Sequence, residues 1–237
     1  MTMQTFEISP EYRTNDVVVH DVGSVYWTPE RIALSGQYQL AVYEMTRRLA
    51  DHLGASSIAD IGCGTGMKLA SLFAERAIFG VDSPDAVSVA RRMVPRGTFV
   101  GVDLESPLDL AALLPGCTRE LVICADVIEH LARPDHLLAS IHSFCTTETR
   151  FVLSSPDRMR LAGPRARRPS VPDHVREWSA DELRRFVTRC GFDVLDQYEL
   201  LLFPLTANRM TLRYLANRLR YRLPLRSNQA LVCRIRR

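Results

Sequence analysis

The sequence predicts a doubly wound α/β fold built on a mainly parallel sheet of seven strands, and three observations carry that expectation. Short apolar runs alternate with helical segments five times from residue 57 onward. Runs such as Leu121-Val122-Ile123 are apolar on both faces, as parallel strands covered by helices on either side must be. Two more strand-like runs, "FDVLDQYELLL" and "NQALVCRIR", follow with only a basic segment, 206–226, between them, and can close the sheet as an antiparallel pair.

Ahead of the first strand, "TPERIALSGQYQLAVYEMTRRLADHLG" reads as one or two helices forming an N-terminal cap. Thr28 is a good N-cap, Pro29 suits the first helical position, and Gly54 is a good stop. The repeat then runs "SSIADIG" into "GMKLASLFAERA", "AIFGVD" into "PDAVSVARRMV", "GTFVGVD" into "LDLAALLPG", "ELVICAD" into "PDHLLASIHSFC", and "RFVLSSP" into "SADELRRFVTRCG". Ser179 and Glu182 form a capping box for the last of these helices, which Gly191 ends. The Pro/Arg-rich "GPRARRPSVP" at 163–172 is a loop.

With 237 residues and 46% hydrophobic side chains, the chain can bury a full core and is expected to form one domain, 1–237. Within it, 1–54 is the N-terminal arm and helices, 55–155 the core of the β-α repeat, and 156–237 a long loop, the last helix, the antiparallel strands and the basic segment. Six cysteines lack any C-x-x-C pair, and the first residues have neither a basic start nor a signal-length apolar run, so free thiols in a reducing cytoplasm are expected. No apolar stretch approaches the roughly 20 residues that span a bilayer. The net charge of +3 hides an asymmetry: 1–150 carry 12 basic and 19 acidic residues, 151–237 carry 18 and 8. A cationic back half biases partners toward phosphates, carboxylates, RNA or an anionic membrane surface.

The chemistry concentrates at strand ends. Asp60-Ile-Gly62-Cys-Gly64-Thr-Gly66 sits where the first strand turns into a helix, and glycines at alternate positions let the backbone turn sharply and approach a ligand. A dinucleotide loop would need glycine at 67 and a P-loop would need G-K-[ST]; Met67-Lys68-Leu69 satisfies neither. Asp82 closes the second strand, where a carboxylate can accept from both hydroxyls of a ribose, and Asp103 closes the third, where it can accept from an exocyclic amine.

On these residues the sequence resembles the class I S-adenosylmethionine-dependent methyltransferases, over roughly residues 38 to 200. "ADIGCGTG" is similar to their first motif, "FGVD" to the ribose motif, "VDL" to the adenine motif and "DVIEHL" to the segment after the fourth strand. The resemblance implies a Rossmann-like fold with S-adenosylmethionine as cofactor. Gly62, Cys63, Gly64 and Gly66 would surround its methionine part, with Asp60 near the amino group. Asp82 and Ser83 would hold the ribose, Asp103 and Leu104 would face the adenine, and Asp126 and Val127 would lie at the cofactor's edge.

The acceptor belongs beside the ends of the fourth and fifth strands, at "CADVIEHL" and the loop containing "PDHVREWSADEL". On a helix beginning near 127, Asp126, Glu129 and His130 would share a face. If His174 folds back over them, the set suits a divalent ion that binds a hydroxyl acceptor and lowers its pKa. Small-RNA 3′-end 2′-O-methyltransferases carry a similar E-x-x-E-H and a later D-H before E-W, here with aspartate for the first glutamate. Ubiquinone-pathway O-methyltransferases share the E-H pair. Without an ion, His174 or His130 is the candidate base, and these groups otherwise only shape the cofactor pocket. His20, His52, His136 and His142 read as structural or exposed, and Tyr26, Trp27, Tyr38 and Tyr43 as core or as a lid over the cleft.

Residues 205–237 hold nine arginines and no acid. In "NRMTLRYLANRLRYRLP", Met210, Tyr214, Leu215 and Leu219 can form an apolar stripe with arginines around it, either docked on the protein or used to bind RNA, to cover the acceptor site, or in peripheral membrane contact through 206–226. The expected activity is methylation of a hydroxyl on a small molecule, sugar-linked or anionic. Metal-dependent methylation of an RNA 2′-hydroxyl and a non-catalytic cofactor-binding role are the rivals.

Overall fold

The structure is a computed structural model and describes residues 6–16 and 28–236. His20, Tyr26 and Trp27 lie outside the described residues. In chain order the elements are α1 (Pro29–Leu34), α2 (Leu40–Leu53), β1 (Ser57–Ile61), α3 (Met67–Leu72), β2 (Ala77–Asp82), α4 (Pro84–Met93), β3 (Thr98–Gly101), α5 (Leu110–Leu113) and β4 (Leu121–Ala125). A 3-10 turn at Ile128–His130 precedes α6 (Pro134–Phe144), β5 (Arg150–Pro156), α7 (Arg158–Ala162), α8 (Ala180–Arg189), β6 (Phe192–Leu200), α9 (Arg209–Tyr221) and β7 (Asn228–Ile235).

The seven strands form one sheet in the order β3-β2-β1-β4-β5-β7-β6. The first five are parallel, and β7 lies antiparallel between β5 and β6, as the closing pair of strand-like runs predicts. Alternate residues of the central strands feed two cores. Val122 and Cys124 join Trp178 and Phe186 on one face, while Leu121 and Ile123 join Val42, Tyr43 and Val87 on the other. This double burial is why the strands carry no polar alternation. Because β1 lies between β2 and β4, the direction of chain progression reverses there, which opens a crevice beyond the carboxyl ends of β1 and β4.

The local punctuation acts as its chemistry requires. Thr28 Oγ1 accepts from the Arg31 amide, Gly54 ends α2 at φ 64°, and Ser179 with Glu182 completes the reciprocal capping box of α8. The helical cap is split: α1 and α2 are separate, and Gln39, at φ 56°, begins α2.

Three expectations change. Asp103 does not end a strand: β3 stops at Gly101, and Asp103 caps its own turn by accepting from the Glu105 amide at 3.1 Å and the Ser106 hydroxyl at 3.0 Å. No α-helix starts near 127. Asp126 takes the left-handed conformation at φ 53° while its amide still donates to Ser154 O, so the chain leaves β4 in a tight bend and only three residues of 3-10 turn follow. The third change is in α9, where Tyr214 and Leu215 are half-buried but Leu219 is 84% exposed. On the docked reading Leu219 would face inward; Arg218 is buried instead, because its Nη1 reaches Arg160 O at 2.6 Å and Leu161 O at 3.0 Å, carbonyls of the short helix α7.

Candidate active site

The glycine loop leaves β1 with Gly62, Gly64 and Gly66 all at positive φ (89°, 55° and 70°), a run that side chains with a Cβ resist. The Gly62 and Cys63 amides donate to Val81 O at 2.8 and 3.2 Å, which ties the loop to β2. A Cβ on Gly62 would stand 2.2 Å from Val127 Cγ2. Gly62 and Val127 are therefore packed against each other across the crevice.

The acids bracket this loop. Asp82 accepts from the Gly64 amide at 2.8 Å and the Ser83 amide at 2.6 Å; burial raises its carboxyl, and those two donors oppose the rise. A carboxylate offers about four acceptor positions, so two remain for other hydroxyls. Asp60 is fully buried. Its Oδ2 accepts from Tyr43 O–H at 2.8 Å, while Oδ1 has no hydrogen-bond partner. Burial pushes Asp60 up to about 7, against the Tyr43 hydrogen bond and the charge of Lys68. Lys68 Nζ donates to Ser35 O at 3.0 Å and Gln39 Oε1 at 3.2 Å, and the Ser35 and Thr65 hydroxyls meet at 2.7 Å. The link between α1 and α2 is thus fastened over the loop.

The second group of residues sits at the ends of β4 and β5. Asp126 accepts from the Ser154 hydroxyl, and both its oxygens accept from Asn228 Nδ2 at 3.1 Å; burial raises it and these donors oppose that. Glu129, His130 and His174 each offer a ligand atom within 4.8 Å of the others. The two imidazoles meet edge to face at 4.8 Å between centroids. The predicted return of His174 is therefore present. Asp126 does not share the set: the bend that replaces the expected helix commits its carboxylate to Ser154 and Asn228.

Each imidazole is oriented through Nδ1. His130 Nδ1 lies 2.9 Å from Asp173 O and must donate there, since a carbonyl only accepts. His174 Nδ1 lies 2.8 Å from Glu177 Oε1, which fixes the Nδ1–H form and makes Nε2 the basic nitrogen. Glu177 is fully buried and also accepts from the Ser170 and Val171 amides. Glu129 is fully buried with neither carboxylate oxygen hydrogen-bonded, and burial, with Asp126 adding to it, holds its carboxyl well above the ordinary range. Such an orphaned carboxylate is costly unless a proton or a cation neutralises it.

A family model for a methyltransferase domain matches residues 36–197. The chain belongs to the class I S-adenosylmethionine-dependent methyltransferases. Its methyl donor is S-adenosylmethionine, and three features of the crevice fit that molecule. The glycine loop turns at the end of β1 with no side chains at 62, 64 and 66, the orphaned Asp60 Oδ1 suits an ammonium, and Asp82 retains acceptor positions for ribose hydroxyls.

The fold of this methyltransferase recurs in solved structures of low sequence identity. One is an S-adenosylmethionine-dependent methyltransferase from Archaeoglobus fulgidus, with 19% identity, a TM-score of 0.61, and coverage of 89% of this chain and all of that one. Magnesium protoporphyrin IX methyltransferase from Synechocystis, solved with bound S-adenosylmethionine, has 17% identity and a TM-score of 0.53, covering 91% and 86%. The [4+2]-cyclase SpnF has 18% identity and a TM-score of 0.58, covering 95% and 86%. At these identities the likeness is one of fold. No curated protein matches the sequence.

Several residues of the methyltransferase site escaped the sequence. Lys68, Ser35, Gln39 and Thr65 join the cap to the loop, and the one available signal was that Lys68 is the only lysine in an arginine-rich chain. Asn228 reaches Asp126 across 102 positions, with no local signal at all. Nor did the sequence place the N-terminal arm. Its described part, 6–16, runs along the acceptor loop: Trp178 Nε1 donates to Phe6 O at 2.9 Å, the Glu177 amide to Tyr12 Oη at 2.9 Å, and Asn15 Nδ2 to His174 O at 3.0 Å. Tyr43 is core, as one reading had it, yet it also touches Asp60.

Proposed function

We propose that this methyltransferase methylates a hydroxyl of a small, anionic or sugar-linked molecule, in the cytoplasm. The observation that carries the reading is the His174–Glu177 pair beside Glu129: a buried carboxylate orients an imidazole whose remaining nitrogen can take a proton. Displacement at a sulfonium methyl needs chiefly alignment, worth up to about 7–11 kcal/mol in favourable systems, and a base for a hydroxyl adds about 10²–10⁴-fold. His174 takes the hydroxyl proton on Nε2 as the oxygen–methyl bond forms, and His130 with Glu129 positions the acceptor.

In this reading the loop from Asp60 through Gly62, Cys63, Gly64 and Gly66 surrounds the methionine part of the cofactor. Asp82 and Ser83 hold the ribose, Asp103 and Leu104 face the adenine, and Asp126 and Val127 form the edge toward the acceptor. Arg13, Arg165, Arg167 and Arg168 line an open hollow of about 730 Å³ on the loop that leads to His174; Glu11, also in the lining, pairs with Arg167, and the excess of guanidinium groups supports an acceptor bearing phosphate or carboxylate. The donor set Glu129, His130 and His174 also fits a divalent ion, its imidazoles already held through Nδ1; an ion there would lower the pKa of a bound hydroxyl.

The test is methyl incorporation from labelled cofactor into a panel of hydroxylated metabolites and into RNA oligonucleotides. Transfer to RNA alone overturns the small-molecule reading, and folded protein that binds the cofactor but methylates neither favours a non-catalytic role. His174→Ala and Glu129→Ala, assayed against added metal, separate base from ion: a metal requirement that both variants leave unchanged removes the ion from this cluster.

Asp60 gives the cofactor site its own pH dependence. In the free protein the carboxyl at about 7 is largely protonated below neutrality, and pairing with an ammonium requires the ionised form. The apparent affinity for S-adenosylmethionine is expected to fall by up to about tenfold per pH unit below 7, and Asp60→Asn to flatten that slope. Calorimetry across pH 5 to 8 checks this, and an equal slope in both proteins rejects it.

A further inference from the structure

The acceptor cluster does not use α9, yet α9 stands at the same rim of the sheet. Its C-terminal end leads within seven residues to Asn228, the residue that holds Asp126. One side of the helix is anchored to the protein by buried Arg218 and Thr211, and by Tyr214, whose ring packs on Phe203 at 4.9 Å. The opposite side is apolar and bare: Leu212 is 67% exposed and Leu219 84%, with exposed Ala216 between them. At about 100° per residue these three share an arc of roughly 60°. Arg209, Arg213 and Arg220, all exposed, occupy the adjoining arc of roughly 40°. Arg222 and Arg226 and the exposed Leu225 extend the pattern beyond the helix, and no acid occurs from 205 to 237.

Leucines exposed to this degree have no apolar cover among the described residues. A leucine strip with arginines along one flank matches an interface in which apolar chains lie beside anionic headgroups. RNA would take the arginines but leave the leucines against phosphates. A second copy of the chain would cover the leucines but would bring two arginine rows together, in a region without acids to offset them. No helix among the described residues is long and apolar enough to cross a membrane, so any such contact is peripheral.

We propose that α9 docks this protein on an anionic lipid bilayer, with Leu212, Ala216 and Leu219 at the acyl boundary and Arg209, Arg213 and Arg220 on the headgroups. The catalytic crevice then stands at the lipid–water boundary, where an amphiphilic acceptor would be presented. The docking depends on the helix surface alone and does not require the acceptor chemistry proposed above.

The full chain should sediment with vesicles of phosphatidylcholine mixed with phosphatidylglycerol, and only weakly with phosphatidylcholine alone. Raising the salt should weaken the binding, because headgroup attraction is screened within about a Debye length. Leu212→Gln with Leu219→Gln, and separately Arg209→Gln with Arg213→Gln and Arg220→Gln, should each lower partitioning at least about tenfold. Unchanged melting curves and cofactor binding would show that the variants fold, since the altered side chains are exposed. Equal binding of the wild-type protein to neutral and anionic vesicles, or none to either, overturns the proposal. So does a concentration-dependent dimer that the leucine variant dissociates in the absence of vesicle binding, which would make the face an interface between copies. RNA binding by wild-type protein that ignores anionic vesicles overturns it as well.

Discussion

Gly62→Ala is expected to reduce affinity for S-adenosylmethionine by at least about 100-fold and to lower the melting temperature. Two separate costs act at this position. The backbone at φ 89° lies in a region that residues with a Cβ adopt at a cost of about 1–3 kcal/mol. The new methyl would also stand 2.2 Å from Val127 Cγ2, and overpacking of a well-filled contact typically costs about 1–3 kcal/mol. The relief is displacement of the loop from β2, to which the Gly62 amide is bonded, and with it the Gly64 amide that orients Asp82. Val127→Ala in the same chain should restore part of the stability, because it removes the clash, but little of the affinity, because the dihedral constraint remains. Gly64→Asp should abolish binding by a different route, placing a second carboxylate beside Asp82. Calorimetry and thermal melts of the variants decide the matter. If Gly62→Ala binds as well as the parent, the loop is not the cofactor cradle.

Glu129→Gln is expected to make the protein more stable at neutral pH and, because Glu129 positions the acceptor, about 10²-fold less active. Its folded-state carboxyl lies well above the ordinary value of 4.5, through burial first and then through Asp126. Such a group favours the fold in its protonated form, so the contribution is fully present below about 4.5 and is lost as pH rises toward the elevated folded-state value. Glutamine keeps the shape and cannot ionise, so its melting temperature should exceed that of the parent at pH 8 and converge with it near pH 4. Removing the groups in a site strained for function commonly trades activity for stability. Melts at the two pH values, with turnover measured alongside, test the paired outcome. A variant equally stable at both would mean that Glu129 is not held against its ionisation.

How much of this was legible in advance depends on the reach of each interaction. The alternation of apolar runs and helices, the caps at Thr28 and Ser179, and the stop at Gly54 are local, and each behaves in the structure as its own side chain dictates. The strand-end positions of Asp60 and Asp82 could be counted along the chain, whereas Asp103 missed because a self-capped turn competes with the last strand pairs. The expected helix at 127 failed for a tertiary reason: the Asp126 amide pairs with Ser154 of β5, so the chain bends before a helix can start. Periodicity put Leu219 in an apolar stripe without deciding whether it was docked or exposed; Arg218, which satisfies two helix-end carbonyls, is the residue that is buried.

By itself, then, the sequence determined the fold class and the glycine loop with its two acids, since these rest on neighbours within a few residues and on strand order. Only the tertiary structure decided that Glu129, His130 and His174 converge without Asp126. It also decided that Glu177 orients His174, that Asn228 and Lys68 belong to the site, and that the leucines of α9 face outward. Apart from the short-range contact of His174 with Glu177, those facts depend on which long-range partner satisfies each buried polar group, and that assignment is made only when the whole chain is packed.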